Sequence, residues 1–433
     1  MFLSAIAVVG LLLMVLTPVI PTHLVVIGVV VVRSLSDIGL STDTRPAILA
    51  WVNLGIVAVI LYVVAVKLVA TVNVSHAGRL TAVIGAFFIF FSVSFFHYGA
   101  EGVMTSELLR ALSIVGIFAL AYWYSREITP MVIALLVLPS VLIGLAGAAG
   151  FGQGLVNRSG RLAATFSHPN SAAAFFGIAL VMSFAMWLYQ RSAGGLAMIA
   201  LVAAALLLTG SLGGIVGALA GIIAVTWLSP TRSHGQRLLQ SAIIGACAYI
   251  GYLAFDLSAR IAEFSWNSNV SLSSSDIDSF QWRLQNWKLL IEIAAGSPVF
   301  GYGLGASSHV IMPLGGPAHS MYIQTLVDGG IFGVCFLIAL LGAMARSGLM
   351  RRRRDEWRGT VILGIFAFAS VNGIVSNLLG YTAAMYLLAV LVAWLLRGDE
   401  RPRNDVTELA WDLPARVRYA PDRRLGLAKS GSA

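Results

Sequence analysis

Apolar runs long enough to cross a bilayer recur from Phe2 to Leu396 with little sequence between them. A hydrocarbon core of ~30 Å takes an α-helix of ~20 residues, whereas barrel strands would alternate in polarity over ~10 residues. These runs do not alternate, so a transmembrane barrel is excluded. Hydrophobic residues make up 58% of the chain and charged residues 11%, against about 25% charged in a soluble domain. The chain therefore reads as an all-α polytopic membrane protein. Its spans are predicted near 2–16, 19–32, 47–66, 79–96, 104–121, 129–148, 170–189, 196–208, 211–228, 238–257, 319–345, 359–376 and 381–396. Some of these runs are short, so the expectation is about 12–13 transmembrane helices, the lower count leaving one re-entrant hairpin.

The net charge of +9 is concentrated in a loop with Arg346, Arg351 to Arg354 and Arg358, and in a tail with Arg397, Arg401, Arg403, Arg416, Arg418, Arg423, Arg424 and Lys429. Short basic segments beside spans set topology by the positive-inside rule, and they explain this charge better than nucleic-acid binding does. Counting back from a cytoplasmic tail puts 149–169 and 258–318 outside, with the protein in an inner membrane. The predicted organisation is an N-terminal transmembrane bundle over 1–257, an outer loop over 258–318, C-terminal transmembrane helices over 319–396 and a disordered basic tail over 397–433. Phe2 to Leu16 lacks a basic leading region, so a removable signal peptide is not expected. Cys247 and Cys335 lie in apolar runs without metal-site or disulfide spacing and are expected to be buried packing residues.

Two polar stretches interrupt this pattern: NRSGRLAATFSHPN at 157–170, and the region from Phe280 through PVFGYGLG to AHSMYIQTLVDGGIFG. An amphipathic helix is expected from Ser279 to Ala295, with Trp282, Leu284, Trp287, Leu290, Ile291 and Ala294 as its apolar stripe. Arg283 and Trp287 are four residues apart and share a face. Pro298 follows the helix end, and Gly301, Gly303 and Gly305 allow a tight path back toward the membrane.

Arginine is disfavoured on the outer side, and a guanidinium makes bidentate contacts to phosphate that lysine does not copy. Arg158, Arg161 and Arg283 together therefore suggest an outward diphosphate site. His319 opens a helix carrying Tyr322, Ile323, Leu326 and Gly330, and a neutral imidazole there could take a proton from a hydroxyl. His168, followed by Pro169 and Asn170, has the setting of a helix start and is expected to be structural. Asp328, next to Gly329 and Gly330, is expected to support a helix break or to pair with an arginine. No paired carboxylates and no His/Cys/Asp cluster occur on the outer side, so neither a metal nor another cofactor is expected.

The motifs FSHPNSAAAFF, TGSLGG, RLQNWKLLIEIAAGSPVFGYGLG and AHSMYIQTLVDGGIFG, in this order, resemble the O-antigen ligase and O-antigen polymerase-like superfamily of bacterial membrane glycosyltransferases. The resemblance covers about residues 150–345. It implies a glycan moved from a polyprenyl-diphosphate carrier to an acceptor hydroxyl on the outer face of the inner membrane. It also implies that Arg161 and Arg283 bind the diphosphate and that His319 activates the acceptor. Trp287, Ser320, Tyr322, Gly301, Gly303 and Gly305 would support the site. The family commonly has Asn where this chain has Ser320, and often Arg where it has Leu212. Direct displacement would invert the anomeric centre without a metal, because guanidinium groups take the developing charge. The partners implied are the lipid-linked glycan, a glycan or lipid acceptor and the bilayer. The competing class is a transporter or flippase of an anionic lipid-linked substrate, but the polar groups gather at one surface rather than at the midplane.

Overall fold

The computed structural model describes residues 22–36, 102–123, 130–151, 155–156, 160–191, 193–229, 232–254, 279–353 and 356–397, with Ile56 and Ile60. Arg158, the expected spans before Thr22 and within 47–96, the start of the expected outer loop and the tail after Arg397 lie outside these residues. The helices are α1 Thr22–Ser36, α2 Gly102–Trp123, α3 Pro130–Ala148, α4 Pro169–Gln190, α5 Ala193–Leu208, α6 Leu212–Leu228 and α7 His234–Ala254. They continue with α8 Ser279–Ala294, α9 Ala306–His309, α10 Met321–Arg352, α11 Glu356–Val375 and α12 Thr382–Arg397. A 3₁₀ turn, Leu378–Gly380, joins the last two. Among the described residues the only β pairing is an isolated bridge between Val156 and Leu162.

Four helices hold segments apolar and long enough to cross a membrane: Met131–Ala148, Pro169–Gln190, Met321–Arg352 and Trp357–Val375. His23–Leu35, Ala193–Leu208, Leu212–Leu228 and Thr382–Arg397 are shorter apolar helices. This is a polytopic helical membrane protein. α4 is its centre: every residue from Pro169 to Met186 is buried. Within lipid, close packing rather than water expulsion holds helices together, and small residues let backbones approach. Gly213, Gly217 and Gly221 repeat every four residues along α6, and a Cβ on any of them would strike α11 at Val375, at Asn372 and Phe368, or at the Gly364 carbonyl.

Cys247 and Cys335 are exposed, not buried as expected. They lie on faces of α7 and α10 that no other described element covers, and in hydrocarbon an outward apolar side chain loses nothing relative to a buried one.

The helices run antiparallel, so polar groups segregate to two ends. At one end Arg397 donates to the Tyr122 carbonyl, Arg237 donates to the Ser229 carbonyl, and the Tyr189 and Trp357 rings meet. At the other end lie the α5–α6 turn, the segment 160–168, α8, the start of α10 and the α11–α12 link. This second end carries the candidate site.

Candidate active site

Each motif at this end builds one wall. The segment before α4 is tied to the α5–α6 turn by the Leu162 amide, which donates to the Leu208 carbonyl at 2.9 Å. Arg161 then reaches across the turn. Its Nε donates to the Thr209 carbonyl at 2.8 Å, and a terminal nitrogen donates to Asn170 Oδ1 at 3.1 Å. Asn170 Oδ1 also accepts from Ser211 Oγ at 3.0 Å. The buried asparagine thus fixes the guanidinium against the TGS turn.

His168 is the N-cap of α4, as expected from the Pro169 that follows it. Its Nδ1 accepts the Asn170 amide at 3.1 Å. The structure adds something the sequence did not suggest: the His168 ring lies 6.4 Å from the His319 ring. His168 keeps an exposed edge, yet the protein around it, the Arg161 charge and the Arg283 charge hold its pKa down at about 4.

α8 forms the opposite wall and matches its expected span to within a residue. Arg283 donates to the Val375 carbonyl at 3.0 Å, which ties α8 to the end of α11. One turn later, Trp287 Nε1 donates to the Ala318 carbonyl at 2.6 Å, and Asn286 Nδ2 donates to the Pro317 carbonyl at 3.1 Å. Asn286 is fully buried, whereas Ile291 of the expected apolar stripe is 48% exposed. The helix uses one face for polar fixation of the 316–318 strap and for packing through Leu290 and Ala294. Trp282 completes the wall: its ring edge meets His319 at 5.7 Å, and Gly316 lies against its outer ring.

His319 leaves this strap with φ 47°, a left-handed conformation uncommon outside glycine. Burial, the Arg283 charge and His168 lower its pKa to about 4. Its Nδ1 is buried, and no group among the described residues hydrogen-bonds to it. Ser320, the next residue, caps α10 by accepting the Ile323 amide. The Met321 amide donates to the Ser376 carbonyl at 3.1 Å and docks the helix start on the α11–α12 link. Tyr322 turns away from the site, its hydroxyl donating to the Ser370 carbonyl at 3.0 Å.

The glycine turn and α10 interlock. Gly301, Gly303 and Gly305 have φ of 68°, 101° and 81°. α10 breaks at Gly330, and the turn fills the break: Tyr302 N donates to the Val327 carbonyl, Gly303 N to the Asp328 carbonyl and the Ile331 amide to the Pro298 carbonyl. A Cβ at Gly301 would collide with the Asp328–Gly329 backbone. The Asp328 carboxylate accepts the Gly305 amide at 3.1 Å and the Ser307 amide at 2.8 Å. Asp328 therefore supports the break through backbone amides, not through an arginine.

Residues 196–338 match the model of the family described as O-antigen ligase. Over this stretch the chain is similar to that family. No curated protein matches the chain. The match supports a ligase- or polymerase-like role in polysaccharide biosynthesis. The matched stretch contains the TGS turn, Arg283, the glycine turn and His319. Arg161, His168 and Asn170 precede it.

Sequence reasoning missed several parts of this site. Asn170 and Asn286 are hydrogen-bond hubs whose partners are distant in sequence. Tyr381 exchanges a hydrogen bond with Ser376 at 3.3 Å and feels the charges of Arg283 and Arg161. Burial nonetheless raises its phenol above the ordinary value. Glu107 of α2, buried and paired with Arg110, also lies 3.4 Å from His309. A carboxylate three residues before an arginine inside an apolar run was the available signal for it. Among the described residues no group of three or more metal-ligating side chains occurs.

Proposed function

We propose that this end of the molecule is the active site of a glycosyltransferase. It would move a glycan from a polyprenyl-diphosphate carrier to an acceptor hydroxyl on the outer face of a bacterial inner membrane. The observation that supports the reading most is that the charges of Arg161 and Arg283 act on His168 and that of Arg283 also on His319. His319 has a buried ring nitrogen without a hydrogen-bond partner among the described residues. Arg161 and Arg283 bind the diphosphate, with Arg158 as a third contact. His319, neutral at working pH because its pKa is low, takes the proton as the acceptor oxygen attacks the anomeric carbon. The anomeric C–O bond breaks, its electron pair leaves on the diphosphate oxygen, and the guanidinium groups stabilise the added charge. Attack from the face opposite the leaving group inverts the anomeric centre.

Both arginines are already oriented by the protein, Arg161 by Thr209 and Asn170 and Arg283 by the end of α11. Such preorganisation is what electrostatic catalysis requires. Trp287 and Ser320 set where His319 stands, one through the strap before it and the other through the helix after it. The basic opposite end faces the cytoplasm by the positive-inside rule, which turns the site outward.

The test is purified protein in detergent with a polyprenyl-diphosphate-linked glycan from native lipid extract and excess chelator. The donor is consumed and the glycan appears on an acceptor. A protein that only transports its substrate would consume none, because detergent leaves no second compartment.

A further inference from the structure

α4 begins at the site, yet its first backbone donors are committed within the protein. Pro169 has no N–H, the Asn170 amide donates to His168 Nδ1, and the Ser171 and Ala172 amides donate to the His168 carbonyl. The usual way for a helix start to hold an anion, through free amides, is thereby closed. The His168 ring takes that position instead. Because Nδ1 accepts a hydrogen bond it carries no proton, so the neutral ring has its N–H at Nε2, across the ring from the cap. His319, 6.4 Å away, differs: its Nδ1 has no hydrogen-bond partner among the described residues. The two histidines are therefore chemically unequal, one arranged to donate and the other open to accept.

We propose that His168 is a ligand of the donor's diphosphate, donating its Nε2–H to a phosphate oxygen alongside Arg161 and Arg283. This inference rests on the diphosphate reading of the site and adds a role distinct from the cap. A neutral donor has a chemical advantage. The diphosphate diester carries two negative charges, which the guanidinium groups already balance. A hydrogen bond to the anion adds affinity without adding positive charge that would retain the more highly charged leaving diphosphate.

The experiment uses the full-length protein in detergent at pH 7 and farnesyl diphosphate as the probe, with binding measured by calorimetry. His168→Ser keeps the cap, since serine is among the preferred N-cap residues, but removes the distal N–H. We expect it to weaken probe binding about tenfold, the scale of one hydrogen bond to a charged group, with Tm unchanged. His168→Ala should weaken binding equally and also lower Tm. His168→Thr, another capping residue, gives the same reading should the serine variant fail to fold. A serine or threonine variant that binds like wild type while Arg283→Ala loses the probe would reduce His168 to a cap and leave the diphosphate site standing. Wild-type binding by Arg283→Ala would remove the diphosphate reading and this inference with it.

Discussion

Two histidines with the same low pKa make the site's pH behaviour a residue-scale matter. The dependence of kcat/KM on pH reports the free enzyme, so its acid limb should fall near pH 4, where His319 gains a proton, and stay flat between about 5 and 8. An acid limb near 6.5, the ordinary imidazole value, would contradict the buried-base account. Stability has the corresponding sign. Unfolded imidazoles bind protons near 6.5 and the folded ones only near 4, so the unfolded state holds more protons in that window. Stability is thus complete above 6.5 and is lost as pH falls toward 4. A thermal scan should give a lower Tm at pH 5 than at pH 7, and the His168→Ser, His319→Ala double variant should narrow that difference. Arg283 tests geometry against charge: Arg283→Lys keeps the cation but not the planar fork, and should lose most activity at equal expression. Near-normal turnover would mark Arg283 as a headgroup contact.

α8 joins the two halves of the proposed chemistry, because Arg283 and the residues holding the His319 strap lie within two turns of it. Trp287→Phe removes the bond to the Ala318 carbonyl and keeps most of the ring. It should lower kcat with donor KM nearly unchanged, since only the base moves. Equal loss in both constants would mean that the helix itself had shifted. Ser320 acts as a cap, so Ser320→Asn should retain stability and activity, while Ser320→Ala costs about 1 kcal/mol of stability. The elements themselves were largely legible in the sequence. Apolar run lengths located the described spans to within a few residues, and Pro298 and the Gly329–Gly330 pair marked α8's end and α10's break. Their cross-connections were not. Arg161 reaches Thr209, and Arg283 reaches Val375. Nothing local at Asn170 or Asn286 announces a buried hub, because a polar residue's partners belong to the tertiary fold. Ile291 shows the converse limit: helical spacing put it in the apolar stripe, but the helix turns that residue outward.

For the whole molecule, the segregation of charge to opposite ends implies an orientation that labelling can check. In a background with the exposed Cys247 and Cys335 replaced by serine, Pro313→Cys should react with an impermeant thiol reagent on intact spheroplasts, and Arg353→Cys should not. The reverse pattern would put the site on the wrong side for a lipid-linked donor exposed outside. Sequence alone pointed to the end where the candidate site lies, through arginines where the positive-inside rule disfavours them. It did not indicate that His168 would face His319, because their approach depends on how α4, α8 and α10 pack. The central claim is that the arginines bind the diphosphate and His319 removes the proton, and single-turnover transfer from a polyprenyl-diphosphate glycan separates the two roles most directly. His319→Ala should bind the donor as wild type does and transfer it roughly 10²–10⁴-fold more slowly. Transfer at the wild-type rate, or a failure due wholly to lost donor binding, would contradict the account.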